Sequence, residues 1–205
     1  NVSSLSRKDI EGVDLLFIGG MSIQKASAKR VIEMAKEMNV KIVAGGPLFT
    51  TEYKEFDDVD YLVLNEAEVT LPLFLKDLKD GTPQHIYTTS ELPALDSTPL
   101  PMWSLIDMSK YATMGIQYSR GCPFDCEFCD ITLLYGHKVR TKNTAQIVSE
   151  LEHLYRHAWR GGVFFVDDNF IGNRLRLKKE VLPAIAGWME KRGNPYYFNT
   201  EASID

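Results

Sequence analysis

Cysteine is scarce here: the 205 residues hold only three. An odd count crowded into one short stretch excludes the spread, even-numbered set that staples a small secreted domain. The opening residues, NVSSLSRKDIEGVD, lack a basic segment followed by an apolar one, so they do not read as a secretory leader. Long hydrophobic runs are missing too. The longest, LLFIGG and GGVFFV, fall far short of the ~20 residues that cross a bilayer. Positive charge is not in excess, and a net charge of −5 argues against a general affinity for nucleic acid. Neither a solenoid-type repeat nor a low-complexity segment is visible. Together these absences lead us to expect a cytoplasmic protein without a transmembrane segment.

What remains is an ordinary globular composition, 44% hydrophobic and 25% charged. At roughly 150 residues per domain the length allows one or two domains. The chain starts without methionine beside one strand-like run and stops just after another, which suggests a segment of a longer protein.

Short apolar runs alternate with helical patterns. Val13–Gly20, Val40–Pro47 and Val59–Glu68 read as buried strands. Between the first two, Ile23, Ser27, Val31, Met34, Ala35 and Met38 share one helical face, and a further helix covers Leu71–Leu78 before Gly81. This is βαβ spacing, hence a parallel α/β sheet over residues 1–88. Residues 89–111 carry Pro93, Pro99 and Pro101 without a sustained period and read as a linker. From 112 to 205 the alternation restarts: a strand at TMGIQYS, a helix from Asn143, a strand at GGVFFVDDNF, a helix to about Lys191 and a strand at PYYFNTEASID. Asn143 is the expected N-cap, with Gln146 three residues on.

All three thiols, Cys122, Cys126 and Cys129, lie in YSRGCPFDCEFCDI, directly after the first strand of this second half. Parallel α/β folds place their chemistry at that end of a strand. The spacing C-x3-C-x2-C lets one loop aim three thiolates at a common centre. Three is one fewer than structural zinc or an ordinary cubane cluster takes. Either another group completes the set or the fourth position is open to a small molecule. A zinc site completed by His137, and three reduced thiols without a metal, are the plainer alternatives.

With Phe128 just before its last cysteine, the loop resembles that of the radical S-adenosylmethionine superfamily. That resemblance implies a partial (β/α)6 barrel, of which three strands lie here. It also implies a 4Fe–4S cluster on Cys122, Cys126 and Cys129 and S-adenosylmethionine on the open iron, where one electron splits its sulfonium to give a deoxyadenosyl radical. Asp167, Asp168 and Asn169, at the end of the second strand, match the position that receives the cofactor's amino group. Carboxylates and an amide can accept from an ammonium. Phe128 and Glu201 complete the expected S-adenosylmethionine set, Glu201 through a ribose hydroxyl or a substrate.

The 1–88 half resembles the Rossmann-like cobalamin-binding domain that precedes such barrels in one class. Gly19-Gly20-Met21 and Gly45-Gly46-Pro47 match two loops that cradle cobalamin there, with glycine in place of the first loop's serine; glycines let a ligand approach the backbone closely. AGGPLFTTE, VLNEAEVTLP, SRGCPFDCEFCD and FFVDDNFIGN…FNTEASI resemble the group containing the hopanoid methylases. The resemblance implies a cobalamin-dependent methyltransferase acting on unactivated carbon in a small molecule or lipid, which would add a peripheral place at the membrane. It also implies an electron donor such as flavodoxin or ferredoxin. A non-catalytic iron–sulfur or zinc module is the alternative.

Two smaller features have plain readings. Asn173–Lys179, NRLRLKK, is a solvated basic face or a phosphate contact; His153 and His157 lie on an exposed helical face or have ligand spacing.

Overall fold

A computed structural model describes residues 5–203. It divides into two compact units, residues 1–93 and 94–205, each built on a parallel sheet.

In the first unit, a helical turn α1 (Arg7–Ile10) precedes β1 (Leu15–Gly19), α2 (Lys25–Glu37), β2 (Lys41–Gly45), α3 (Pro47–Glu52), β3 (Tyr61–Val63), α4 (Ala67–Asp80) and β4 (Ile86–Tyr87). The strands lie in the order β1-β2-β3-β4, all parallel. Ile42, Val43 and Ala44 are successively buried because both faces of β2 are covered. On one side Ala28, Ile32 and Ala35 of α2 pack with Ile42, Leu48, Phe49 and Leu62. On the other, Phe74 of α4 packs with Val43, Tyr61, Val63 and Tyr87. The expected helical face holds for Val31 and Ala35 but not for Ile23. That residue falls in a 3-10 turn, Ser22–Gln24, and is 93% exposed. The turn forms because the Gln24 side chain accepts the Met21 N–H, at 2.9 Å, and delays the helix.

Residues 94–110 belong to the second unit. Leu95 is buried, its carbonyl accepts from Gln146 Nε2, and Trp103, Ile106 and Met108 lean on that unit's core. The prolines keep this segment out of long helices, leaving three 3-10 turns.

The second unit runs β5 (Thr113–Ile116), β6 (Ser119–Arg120), α5 (Ile131–Tyr135), β7 (Arg140–Thr141), α6 (Thr144–Arg156), β8 (Gly161–Phe165), α7 (Arg174–Arg176), α8 (Leu182–Lys191) and β9 (Tyr196–Thr200). The order β5-β8-β9 is parallel, a βαβαβ arrangement. Ile147, Leu151 and Leu154 of α6 join Val181, Ile185 and Trp188 over Met114, Ile116, Val163 and Phe165. Asn143 caps α6 as expected, exchanging hydrogen bonds with Gln146. Pro183 cannot donate in the next helical path, and a π segment, Leu177–Val181, widens the turn ahead of it. The expected third strand is present as β9; the last two residues of its sequence pattern, 204 and 205, lie outside the described residues.

Candidate functional site

In the first unit the pairing aligns Gly19 with Gly45, and Gly45 with Val63. The two glycine loops are therefore neighbours at the sheet's carboxyl edge. They touch directly: Leu48 N donates to Gly20 O at 3.0 Å. Gly46 has φ of 85°, a left-handed conformation that only glycine adopts cheaply. A Cβ on Gly45 would lie 2.5 Å from the Val63 carbonyl oxygen. These glycines are thus demanded by the backbone itself as well as leaving bare chain for a ligand. Met21 is 60% exposed beside them. Asn65 holds the next strand end: its carboxamide oxygen accepts from Thr88 Oγ1 and Thr89 N, and its own N–H donates to Thr50 Oγ1.

In the second unit the cysteine loop leaves the carboxyl end of β5, as the sequence indicates. Its start forms a small hairpin with the strand after it, Ser119 opposite Thr141 and Arg120 opposite Arg140. Arg120 Nε donates to Gln117 Oε1 at 2.8 Å. Cys122 is half-buried, while Cys126 and Cys129 are exposed, all as free thiols. Across the tip, Cys129 N donates to Cys126 O at 3.0 Å. Among the described residues no three His, Cys, Asp or Glu side chains converge into a ligand set, so the thiols are gathered on one loop but not focused. His137 is exposed and does not complete them. The donor set nonetheless suits iron and sulfide: three soft thiols, unpaired with one another, on one loop. Phe128 is 93% exposed at the tip.

In the acid–amide run the two carboxylates are engaged with the cysteine loop. Asp167 is buried, and its carboxylate turns toward the loop rather than outward. Oδ2 accepts from Tyr118 N at 3.1 Å; Oδ1 accepts from Ser119 N and, at 2.5 Å, from Ser119 Oγ. Asp168 Oδ2 accepts from Gly121 N at 3.0 Å. Burial pushes both carboxyls above their ordinary range, opposed at Asp167 by Ser119 and Tyr118 and at Asp168 by Gly121, Arg120 and Arg140. Asn169 alone of the three lines a cavity of about 310 Å³, together with Phe124, Ile171, Asn173, Arg174 and Ser203. Its Nδ2 donates to Ser203 Oγ at 3.2 Å. The Glu201 side chain is exposed, and its carbonyl accepts from Phe170 N.

Sequence reasoning missed the roles of Ser119 and Gly121. For Gly121 the one sequence signal was a glycine directly before the first cysteine; its φ of 91° and its crowding by three carbonyl oxygens, which exclude a side chain, are tertiary. It missed Ser203 and Phe124 because a cavity is a tertiary property. His153 and His157 are half-buried, not exposed, and their rings meet at a 45° tilt with centroids 4.5 Å apart, His157 Nδ1 lying 2.9 Å from the His153 carbonyl.

No model of a known family matches the chain. Among curated proteins, an "uncharacterized methyltransferase" of Synechocystis sp. is 41% identical over all of this chain and 38% of its own length. The hopanoid C-2 methylase of Rhodopseudomonas palustris is 34% identical over the whole chain and 40% of its own length. Over its whole length the chain is similar in sequence to both of these proteins. It spans about two fifths of the length of those relatives. Among solved structures, the radical S-adenosylmethionine methyltransferase TsrM of Kitasatospora setae, seen with cobalamin and a 4Fe–4S cluster, aligns over 89% of the chain and 43% of its own. The TM-score is 0.69 at 14% identity, a likeness of fold. Among the described residues, no helix is long and apolar enough to cross a membrane.

Proposed function

We propose that the chain is part of a cobalamin-dependent radical S-adenosylmethionine methyltransferase. In this reading residues 1–88 belong to a cobalamin-binding domain, 89–111 link it onward, and 112–205 begin the radical barrel. The observation that carries the reading is a loop of three free thiols at the carboxyl end of a parallel strand, one ligand short of a closed set. Homology to named methyltransferases and the fold of a radical methyltransferase support it.

Cys122, Cys126 and Cys129 would hold the cluster, and the tip must close for the exposed pair to join Cys122. Phe128 would cover the bound nucleotide, and Asn169, with the cavity it lines, would receive part of it; Glu201 is placed at the neighbouring strand end. Gly19, Gly20, Met21, Gly45, Gly46 and Pro47 would border cobalamin with bare backbone. When bound, the cluster supplies an electron to S-adenosylmethionine, and cobalamin supplies the methyl group. The protein's own task is alignment and exclusion of water. A small molecule or a lipid is the substrate in this reading, and a flavodoxin- or ferredoxin-like protein the electron source.

Full-length protein, reconstituted anaerobically and reduced, should convert S-adenosylmethionine to 5′-deoxyadenosine and methionine, or to S-adenosylhomocysteine as its methyl group is passed on, and show a cobalamin absorption band. Protein that binds iron yet never consumes S-adenosylmethionine would overturn the reading.

A further inference from the structure

We propose that Asp167 and Asp168 are positioning residues for the cluster: they fix the root of the cysteine loop before metal arrives, leaving its tip free to close. This rests on reading that loop as the cluster site.

The two carboxylates stand side by side at the end of β8 and between them take the amide protons of Tyr118, Ser119 and Gly121. Those residues lie 47 to 49 positions earlier in the chain, so the contact is wholly tertiary. The same stretch is also held from its other side. Lys142 N donates to Tyr118 O at 2.8 Å, and Cys122 N to Gly136 O at 3.3 Å. Gly121 fits against the carbonyl oxygens of Lys138, Gly136 and Tyr135, where a Cβ would come within 2.8, 2.9 and 3.2 Å. The backbone from Tyr118 to Cys122 is therefore held by hydrogen bonds at Tyr118, Ser119, Gly121 and Cys122. From Pro123 to Asp130 every residue is exposed.

Burying carboxylates is costly unless they are well hydrogen-bonded. Here the compensation comes from loop amides, bonds that a charged acceptor makes stronger than a neutral one does. A ligand nucleophile offered from a fixed root loses less freedom on metal binding than one offered from a mobile loop. Both oxygens of Asp167 and Oδ2 of Asp168 accept from the loop, and Asn169 is the residue of the run that lines the cavity.

The test uses full-length wild type, Asp168→Ala, Asp168→Asn and, should the alanine variant not fold, Asp167→Asn. In metal-free protein, amide hydrogen exchange at Ser119 and Gly121 should be slower than at the tip, Cys126–Cys129. Asp168→Ala should speed exchange at Gly121 by about tenfold or more, with the tip unchanged and Asp168→Asn intermediate. Unchanged rates at Gly121 overturn the proposal. After reconstitution, Asp168→Ala should lose iron to a chelator faster and show a broadened electron paramagnetic resonance line, both largely restored in Asp168→Asn. The dissociation constant for S-adenosylmethionine on the clusters that do form should change by less than about threefold. A variant that keeps iron and line shape like wild type but loses about tenfold or more in that affinity would overturn the proposal and return Asp168 to the nucleotide. Wild-type protein that takes up no iron would overturn the cluster reading instead, a failure recognisable because the exchange contrast would persist.

Discussion

The two units put their candidate chemistry at the same kind of place, the carboxyl edge of a parallel sheet, by opposite means. The first unit clears space: Gly19, Gly20, Gly45 and Gly46 present backbone and almost no side chain. The second fills space: buried carboxylates, a hairpin and a crowded glycine grip the chain that leads to Cys122. A broad planar ligand needs an unobstructed floor, whereas a metal needs donors delivered to defined points. The contrast shows why glycine and aspartate can do comparable work at equivalent strand ends.

The strongest break of that contrast is removal of a donor. Any of Cys122→Ala, Cys126→Ala or Cys129→Ala should abolish cluster formation, measured as iron per chain, and with it turnover of S-adenosylmethionine. Next in size is the buried ion pair of Lys142 with Glu150, whose side chains are 3% and 2% exposed. Lys142→Met leaves Glu150 buried without its cation and should cost about 3–5 kcal/mol in chemical denaturation. This pair lies under the loop hairpin, so its loss should disturb the second unit and spare the glycine loops.

Gly45→Ala tests the opposite side. Its Cβ would strike the Val63 carbonyl oxygen, and the strain should destabilise the first unit by about 1–3 kcal/mol and weaken cobalamin binding. A smaller effect is expected from pH. Burial holds the Glu150 carboxyl above its ordinary value, opposed by Lys142. A raised carboxyl binds its proton more readily when folded, so this contribution is full below the unfolded pKa near 4.5 and is lost as pH rises through the folded one. In Glu150→Gln the part of the pH dependence of the denaturation midpoint lying just above that range should flatten. Smallest of all, Phe128→Ala at a 93% exposed position should shift stability by less than about 0.5 kcal/mol while weakening S-adenosylmethionine binding.

Local pattern made much of the architecture legible. Buried strands read as unbroken apolar runs, and the Asn143 cap was visible as a residue pair. The short hairpin of Ser119–Arg120 with Arg140–Thr141 was not, since two-residue strands carry no period. β4 escaped notice for the same reason. Ile23 was misplaced because the Gln24 side chain, not hydrophobic periodicity, decides where α2 begins. At the site, cysteine spacing announced the loop and glycine pairs the other edge. The carboxylates were found as residues, but the loop amides they accept from were not. Nothing in VDDNF indicates whether an oxygen faces solvent or an amide brought in from residue 118.

The most direct test of the account is electron paramagnetic resonance of the reduced, reconstituted full-length protein with and without S-adenosylmethionine. A single low-spin cluster per chain whose g-values move when the nucleotide is added is the predicted result. A spectrum indifferent to the nucleotide, or a metal already ligated by four protein side chains, would contradict the account.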